Sequence, residues 1–267
     1  AVRAVGQGKG ETVFYLTART ITRTVAEDAF SILRGKGLHF KSITITAKEK
    51  MCFCDEMDCD PQKCPYAKGH YDRINDAVYE LWTKEEAFDR ETILAQAEKY
   101  SVCPFEITLD LAVWMDGIVC DYNYVFDPNV YLKRFFGENI KGKYLFLIDE
   151  AHNLVDRGRE MYSASLCKEE IESTRRFVRA HSSRLYRMLG KAAKQLEVLK
   201  EESSSSWQVL ENAGTLPVTL LSIQGEMDKL LEEPPSQEFV DGILEFYFAV
   251  RDFLNIAELV DENYVTY

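Results

Sequence analysis

The chain has 267 residues, 46% of them hydrophobic and 28% charged, with a net charge of −12. That size and composition fit one or two globular domains and exclude global disorder. The longest apolar runs, such as Leu111–Met115, are five residues, far short of the roughly 18 that a bilayer-spanning helix needs, and the opening AVRAVGQGKG lacks the apolar segment of a secretory leader, so an intracellular, cytoplasmic-type protein with no membrane partner is expected.

In chain order, residues 1–50 carry nine Lys/Arg against four Asp/Glu, whereas 51–103, 104–160 and 161–267 sum to −6, −4 and −7. A basic segment can bind phosphate inside an acidic chain when its charges share one surface. Thr12–Leu16 is a nearly continuous apolar run, which predicts a strand buried on both faces of a parallel sheet. The amphipathic stretch Thr24–Leu33 predicts a helix closed by Gly35-Lys-Gly37, and 41–46 predicts the next strand. Residues 51–103 interrupt this β-α-β rhythm. A cysteine-dense acidic loop comes first, then a helix that the capping-box pattern Thr83-Lys-Glu-Glu86 opens and that runs to about Tyr100. The rhythm resumes with a helix around 105–115, a short strand at 117–120 and a strand at Tyr144–Ile148, which runs into Asp149-Glu-Ala-His152. After Met161 the pattern is helical. Residues 169–200 place Phe177, Leu185, Met188, Leu189, Ala192 and Leu196 on one stripe, Ser203–Ser206 reads as a linker, and Gly214 with Pro217 and then Glu233-Pro-Pro235 are breaks. A strongly apolar helix is expected from Gln237 to Leu259. The fold class is therefore α/β, with an inserted cysteine-rich domain and a separate helical module.

Adjacent acids at the carboxyl end of a buried parallel strand sit where α/β sheets bind ligands. Asp149-Glu150 suits nucleotide hydrolysis, one acid holding Mg²⁺ and the next polarising the attacking water; the alternative is a solvated turn that happens to carry two acids. The phosphate cradle G-x-x-x-x-G-K-[ST] does not occur, and Gly6-Gln-Gly-Lys-Gly10 and Gly35-Lys-Gly37 lack its spacing and read as loops. Of the cysteines at 52, 54, 59, 64, 103, 120 and 167, four fall within MCFCDEMDCDPQKC. In a long chain without a leader, clustered thiols bind metal more often than they pair as disulfides. The spacings C-x-C, C-x₄-C and C-x₄-C, with Cys103 39 residues beyond Cys64, fit either a tetrahedral zinc or an iron–sulfur cluster, and base rates lean to zinc. Cys120 and Cys167 read as free thiols. Residues 173–196 carry seven Lys/Arg and no acid; Arg184, Arg187, Lys191 and Lys194 follow helical spacing, either as a solvated face or as a phosphate-facing surface. His39, His70 and His181 show no ligand pattern and are expected at the surface, and Trp82, Trp114 and Trp207 are expected to pack.

The order of these motifs resembles the XPD/DinG family of superfamily 2 iron–sulfur DNA helicases. Phe14-Tyr-Leu-Thr-Ala-Arg-Thr20 is similar to the family's motif Ia, and Thr46-Ala-Lys-Glu-Lys-Met-Cys52 to the approach to its first cluster cysteine. Cys64-Pro-Tyr-Ala and Val102-Cys-Pro-Phe-Glu106 resemble the surroundings of its later ligands. Cys120-Asp-Tyr-Asn-Tyr-Val-Phe-Asp-Pro128 resembles the stretch before motif II, and Asp149-Glu-Ala-His152 resembles motif II itself.

The resemblance implies an incomplete RecA-like motor domain at 1–50 and 104–160, an iron–sulfur domain at 51–103 and a helical Arch-like domain at 161–267. It implies a [4Fe–4S] cluster on Cys52, Cys59, Cys64 and Cys103, with Cys54 as a substitute ligand, and so overrides the lean to zinc. By the same likeness Asp149 holds Mg²⁺, Glu150 activates water, His152 couples the nucleotide site to the DNA-contacting motifs, and Thr17, Arg19 and Thr20 touch the DNA backbone. The Walker A loop would precede Ala1 and the second RecA-like domain would follow Tyr267. The intact protein is thus expected to use ATP and Mg²⁺ to move 5′→3′ on single-stranded and fork DNA, while this chain alone is not expected to hydrolyse ATP. The other class of reading is a non-catalytic DNA-binding or interaction module built on zinc thiolates.

Overall fold

The computed structural model describes residues 1–18, 20–201, 209–210 and 212–267, with the backbone alone at Thr20 and Glu201. The chain divides into two compact units, Ala1–Met161 and Tyr162–Tyr267.

In the first unit α1 (Val2–Gly6), β1 (Thr12–Leu16), α2 (Thr20–Gly35) and β2 (Ser42–Thr44) lead to the one-turn α3 (Lys48–Met51). Then come α4 (His70–Lys84), β3 (Ala87–Phe88), α5 (Arg90–Tyr100), α6 (Pro104–Ala112), β4 (Gly117–Cys120), α7 (Asn123–Phe126), α8 (Lys133–Phe136), β5 (Tyr144–Ile148) and α9 (Leu154–Met161). The sheet order is β3-β2-β4-β1-β5 with every pairing parallel, Phe14 lying between Ile118 and Phe146. Parallel neighbours need crossovers, and the intervening helices supply them. Alternation along the central strands then makes two cores. Phe14, Leu16 and Ile118 face the layer that contains Ile74, Ile93 and Ile107, while Val13 and Val119 face Ala26 and Phe30 of α2.

Two expectations change here. The helix expected to open at Thr83 is two helices with a strand between them. The Thr83 hydroxyl turns back to the carbonyls of Tyr79 and Glu80 at the end of α4, and Asp89 caps α5 by accepting the Thr92 amide at 2.9 Å. Burial decides this, because Phe88 gains a fully enclosed position by joining the sheet edge. The second change concerns β5, expected to be buried. Among the described residues it pairs only with β1, which leaves Phe146 42% and Leu147 40% exposed.

The second unit consists of α10 (Lys168–Val178), α11 (Ser183–Glu201), α12 (Leu216–Glu232) and α13 (Gln237–Leu259). α10 packs on α11 and α13, and α12 on α11 and α13, around a core that includes Ile171, Leu189, Leu220, Ile223 and Ile243. The stretch 169–200 is not one helix: residues 179–182 break it, and Ser182 Oγ accepts the Leu185 amide at 3.1 Å to start α11. The apolar stripe then folds back on itself, burying both halves. Gly242 permits the close approach of α13 to α10, since a Cβ there would lie 2.2 Å from the Phe177 ring. No helix among the described residues is long and apolar enough to cross a membrane. Ser203–Ser206 and Trp207 lie outside the described residues.

Candidate functional site

The cysteine-bearing loop is shaped by short-range bonds. α3 ends at Cys52, whose amide donates to Lys48 O at 2.9 Å, and a turn closed by Cys64 N–H on Asp60 O at 2.8 Å sets Cys64. Gly69, at φ 66°, takes the left-handed conformation that turns the chain into α4. Cys103 arrives from the far side, directly before Pro104 at the first position of α6. One guanidinium ties these segments together: Arg73 donates to Lys68 O at 2.8 Å, Tyr100 O at 2.9 Å and Ser101 O at 2.6 Å. As a result Cys52, Cys59, Cys64 and Cys103 line one cavity of about 260 Å³.

Cys54 Sγ lies 3.9 Å from Cys64 Sγ, and its thiol is pushed up to about 11 by desolvation and then by that neighbour. Burial also raises the Cys103 thiol. The Lys48 ammonium is held above its usual value, mainly by its hydrogen bond to Cys59. Among the described residues no three His, Cys, Asp or Glu side chains meet closely enough to ligate a single metal ion. The thiols ring a volume instead, and four thiols around a cavity are the donor chemistry that an iron–sulfur cluster takes.

Sequence reasoning missed His70. Expected at the surface, it is 5% exposed and lines this cavity. The signal was present, because His70 starts the buried stripe of α4 that continues through Ile74, Ala77 and Leu81. The expectation of packing also fails for Trp114, 63% exposed on the turn after α6, while Trp82 carries the Lys41 ammonium 5.2 Å above its ring.

At the other end of the first unit, β5 delivers the acids. The Asp149 amide donates to Leu16 O at 2.9 Å, extending the ladder by one residue, and the Tyr122 hydroxyl donates to its carbonyl. The Thr17 hydroxyl donates to Asp149 Oδ2 at 3.4 Å and touches Thr22 Oγ1. Burial, followed by the Asp149 charge, raises the phenols of Tyr15 and Tyr122. Glu150 adopts φ 49° and caps a 3₁₀ turn over Ala151–Asn153, which brings its Oε2 3.4 Å from His152 Nδ1, with both side chains open to solvent. A half-buried carboxylate that accepts from the Thr17 hydroxyl, beside an accessible one, is an arrangement able to hold a cation and to polarise water.

The residues expected at DNA divide. Thr17 is 1% exposed and its hydroxyl is turned towards Asp149, where it connects the end of β1 to the first of the two acids. Arg19 and the side chain of Thr20 lie outside the described residues. Arg184, Arg187 and Lys191 line one shallow open groove on α11, with Lys194 exposed further along the helix and Arg184 paired to Glu226 at 3.2 Å. Of the other cations in the run 173–196, Arg175 is engaged elsewhere: its guanidinium stacks 4.5 Å from the Tyr186 ring and pairs with Glu172.

The DEAD_2 family model matches residues 38–171, half of the chain. Over 90 residues, 34% of this chain and 7% of the relative, it is 33% identical to the Fanconi anemia group J protein homolog of Gallus gallus. The ATP-dependent DNA helicase CHL1 of Kluyveromyces lactis is 21% identical over 199 residues, which cover 74% of this chain and 22% of that protein. The regulator of telomere elongation helicase 1 of Rattus norvegicus is 21% identical over 79% of this chain and 17% of its own length. The chain therefore spans less than a quarter of each of these relatives. Among solved structures, one titled Truncated XPD superposes with a TM-score of 0.54 at 16% identity, covering 97% of this chain and 73% of that one, which shows a shared fold. With the family model spanning half of its length, this chain belongs to the XPD/DinG-like family of superfamily 2 iron–sulfur helicases.

Proposed function

We propose that this chain is part of an ATP-dependent 5′→3′ DNA helicase, with a partial RecA-like motor at 1–50 and 104–160, a cluster domain at 51–103 and an Arch-like domain at 161–267. Cys52, Cys59, Cys64 and Cys103 hold a [4Fe–4S] cluster, and Cys54 stands close enough to Cys64 to replace a neighbour. The observation that carries the reading is that these four thiols, spread from the end of α3 to the start of α6, share one cavity. Thiols spread around a volume suit a polynuclear group better than one zinc ion. When bound, the cluster supplies a crosslink among segments that are distant in sequence.

In the intact helicase Asp149 holds the Mg²⁺ of ATP, Glu150 orients and activates the attacking water, and His152, beside Glu150, links this site to the DNA motifs. Arg19, Thr20 and the α11 face of Arg184, Arg187, Lys191 and Lys194 take the backbone of single-stranded or fork DNA, favouring DNA form over sequence.

The test is the iron, sulfide and zinc content of anaerobically purified protein, with its visible spectrum. About four irons per chain in a brown sample is the expected result. A colourless protein with stoichiometric zinc, unchanged after reconstitution with iron and sulfide, overturns the cluster in favour of a zinc-thiolate module.

A further inference from the structure

His70 shares the thiol cavity and has no part in the reading above. It opens α4 directly after Gly69, and the helix turns its ring inward. The backbone N–H of Cys103 donates to Nδ1 at 3.3 Å. A ring nitrogen that accepts a hydrogen bond carries no proton, so in the neutral imidazole the proton sits on Nε2. The ring makes no other hydrogen bond among the described residues. His70 lines the same cavity as Cys52, Cys59 and Cys64, so a sulfur-bearing group held by those thiols would lie where Nε2–H can meet it, and a donor left without an acceptor is costly where water is displaced.

We propose that His70 is a positioning residue of the thiol site: through Nδ1 it holds the Cys103 backbone, and through Nε2–H it donates to a sulfur of the group that the thiols ligate. This rests on the cluster reading. Hydrogen bonds to the sulfurs of a cluster stabilise its reduced, more negative form and raise its potential.

The experiment uses the whole chain, purified anaerobically, with iron and sulfide assayed and the cluster midpoint measured by redox titration followed in the visible spectrum. Three variants separate the two ring nitrogens. His70→Asn retains an acceptor at about the place of Nδ1, His70→Gln retains a donor at about the reach of Nε2, and His70→Leu retains neither. The expected result is that His70→Asn keeps its iron and shifts to a lower midpoint, while His70→Gln returns towards the parent value. Parental midpoints in every variant that retains iron overturn the inference. Should His70→Leu shed its cluster because Cys103 is released, the Asn and Gln proteins still decide. Wild-type protein that takes up no iron and sulfide on reconstitution sinks the cluster reading itself, an outcome distinct from a loaded protein whose midpoint ignores residue 70.

Discussion

Glu150 occupies a left-handed backbone conformation at φ 49°, which costs a side-chain-bearing residue about 1 kcal/mol. Glycine pays no such penalty, so Glu150→Gly is expected to unfold at the parental temperature or slightly above it, even though His152 then has no carboxylate beside it. Glu150→Ala keeps the strain and is expected to melt below the glycine variant; thermal unfolding of the pair checks this. In the catalytic role proposed for this carboxylate, the strained backbone exchanges stability for placement. Thr17 was legible as part of a motif but not as an inward-facing side chain. It directly follows β1, flanked by β4 and β5, and its neighbours turn its hydroxyl to Asp149, a matter of packing that no local pattern encodes. Thr17→Val, close in volume but unable to donate, is expected to destabilise the protein by about 1–2 kcal/mol, the typical cost of leaving buried partners unpaired, measured by urea unfolding.

Elements ending in strong caps were the most legible. The α13 bounds follow from Pro235 and Ser236 before an apolar run, and Ser236 Oγ accepts the Phe239 amide at 3.2 Å; Ser236→Ala is expected to cost about 1 kcal/mol, read as a lowered thermal midpoint. The capping-box spacing at Thr83–Glu86 starts no helix, whereas a working box lies at Cys167 and Glu170, where Glu170 accepts the Cys167 amide at 3.3 Å. Local spacing alone favours the first site, and only the burial of Phe88 in the sheet disqualifies it. On α11, the basic spacing was legible while the diversion of Arg175 to Tyr186 was not, because that stacking partner comes from a different helix. Reversing Arg187 and Lys191 together is expected to weaken single-stranded DNA binding. The slope of log affinity against log salt is expected to become shallower by about 0.7 for each phosphate no longer neutralised. A titration of affinity against salt reads both effects, and an unchanged slope would exclude α11 from the DNA path.

At the scale of the whole molecule, Glu80 is one carboxylate through which the stability of the first unit depends on pH. Lys84, Lys99 and Tyr100 all donate to its carboxylate and hold it far below the usual carboxylate range, Lys84 most of all. A carboxylate whose folded pKa lies below its unfolded one stabilises the protein above the unfolded value and loses that contribution as pH falls towards the folded one. Glu80→Gln is therefore expected to melt below the parent at neutral pH, with the gap narrowing as pH falls below about 4.5; calorimetry at several pH values would show it, and a constant gap would not fit.

The sequence by itself determined the parallel α/β class, the positions of β1, β4 and β5, the helical character after Met161 and the acids at a strand end. These are local properties, set by apolar periodicity, caps and breakers that act within a few residues. Tertiary structure alone decided that β5 forms a half-exposed edge, that α4 and α5 are separated by a strand, that Thr17 faces Asp149, and that His70 joins Cys103 and the other thiols around one cavity. Each of those outcomes depends on which surface is covered by residues tens of positions away, and burial free energy is assigned only when the chain has folded.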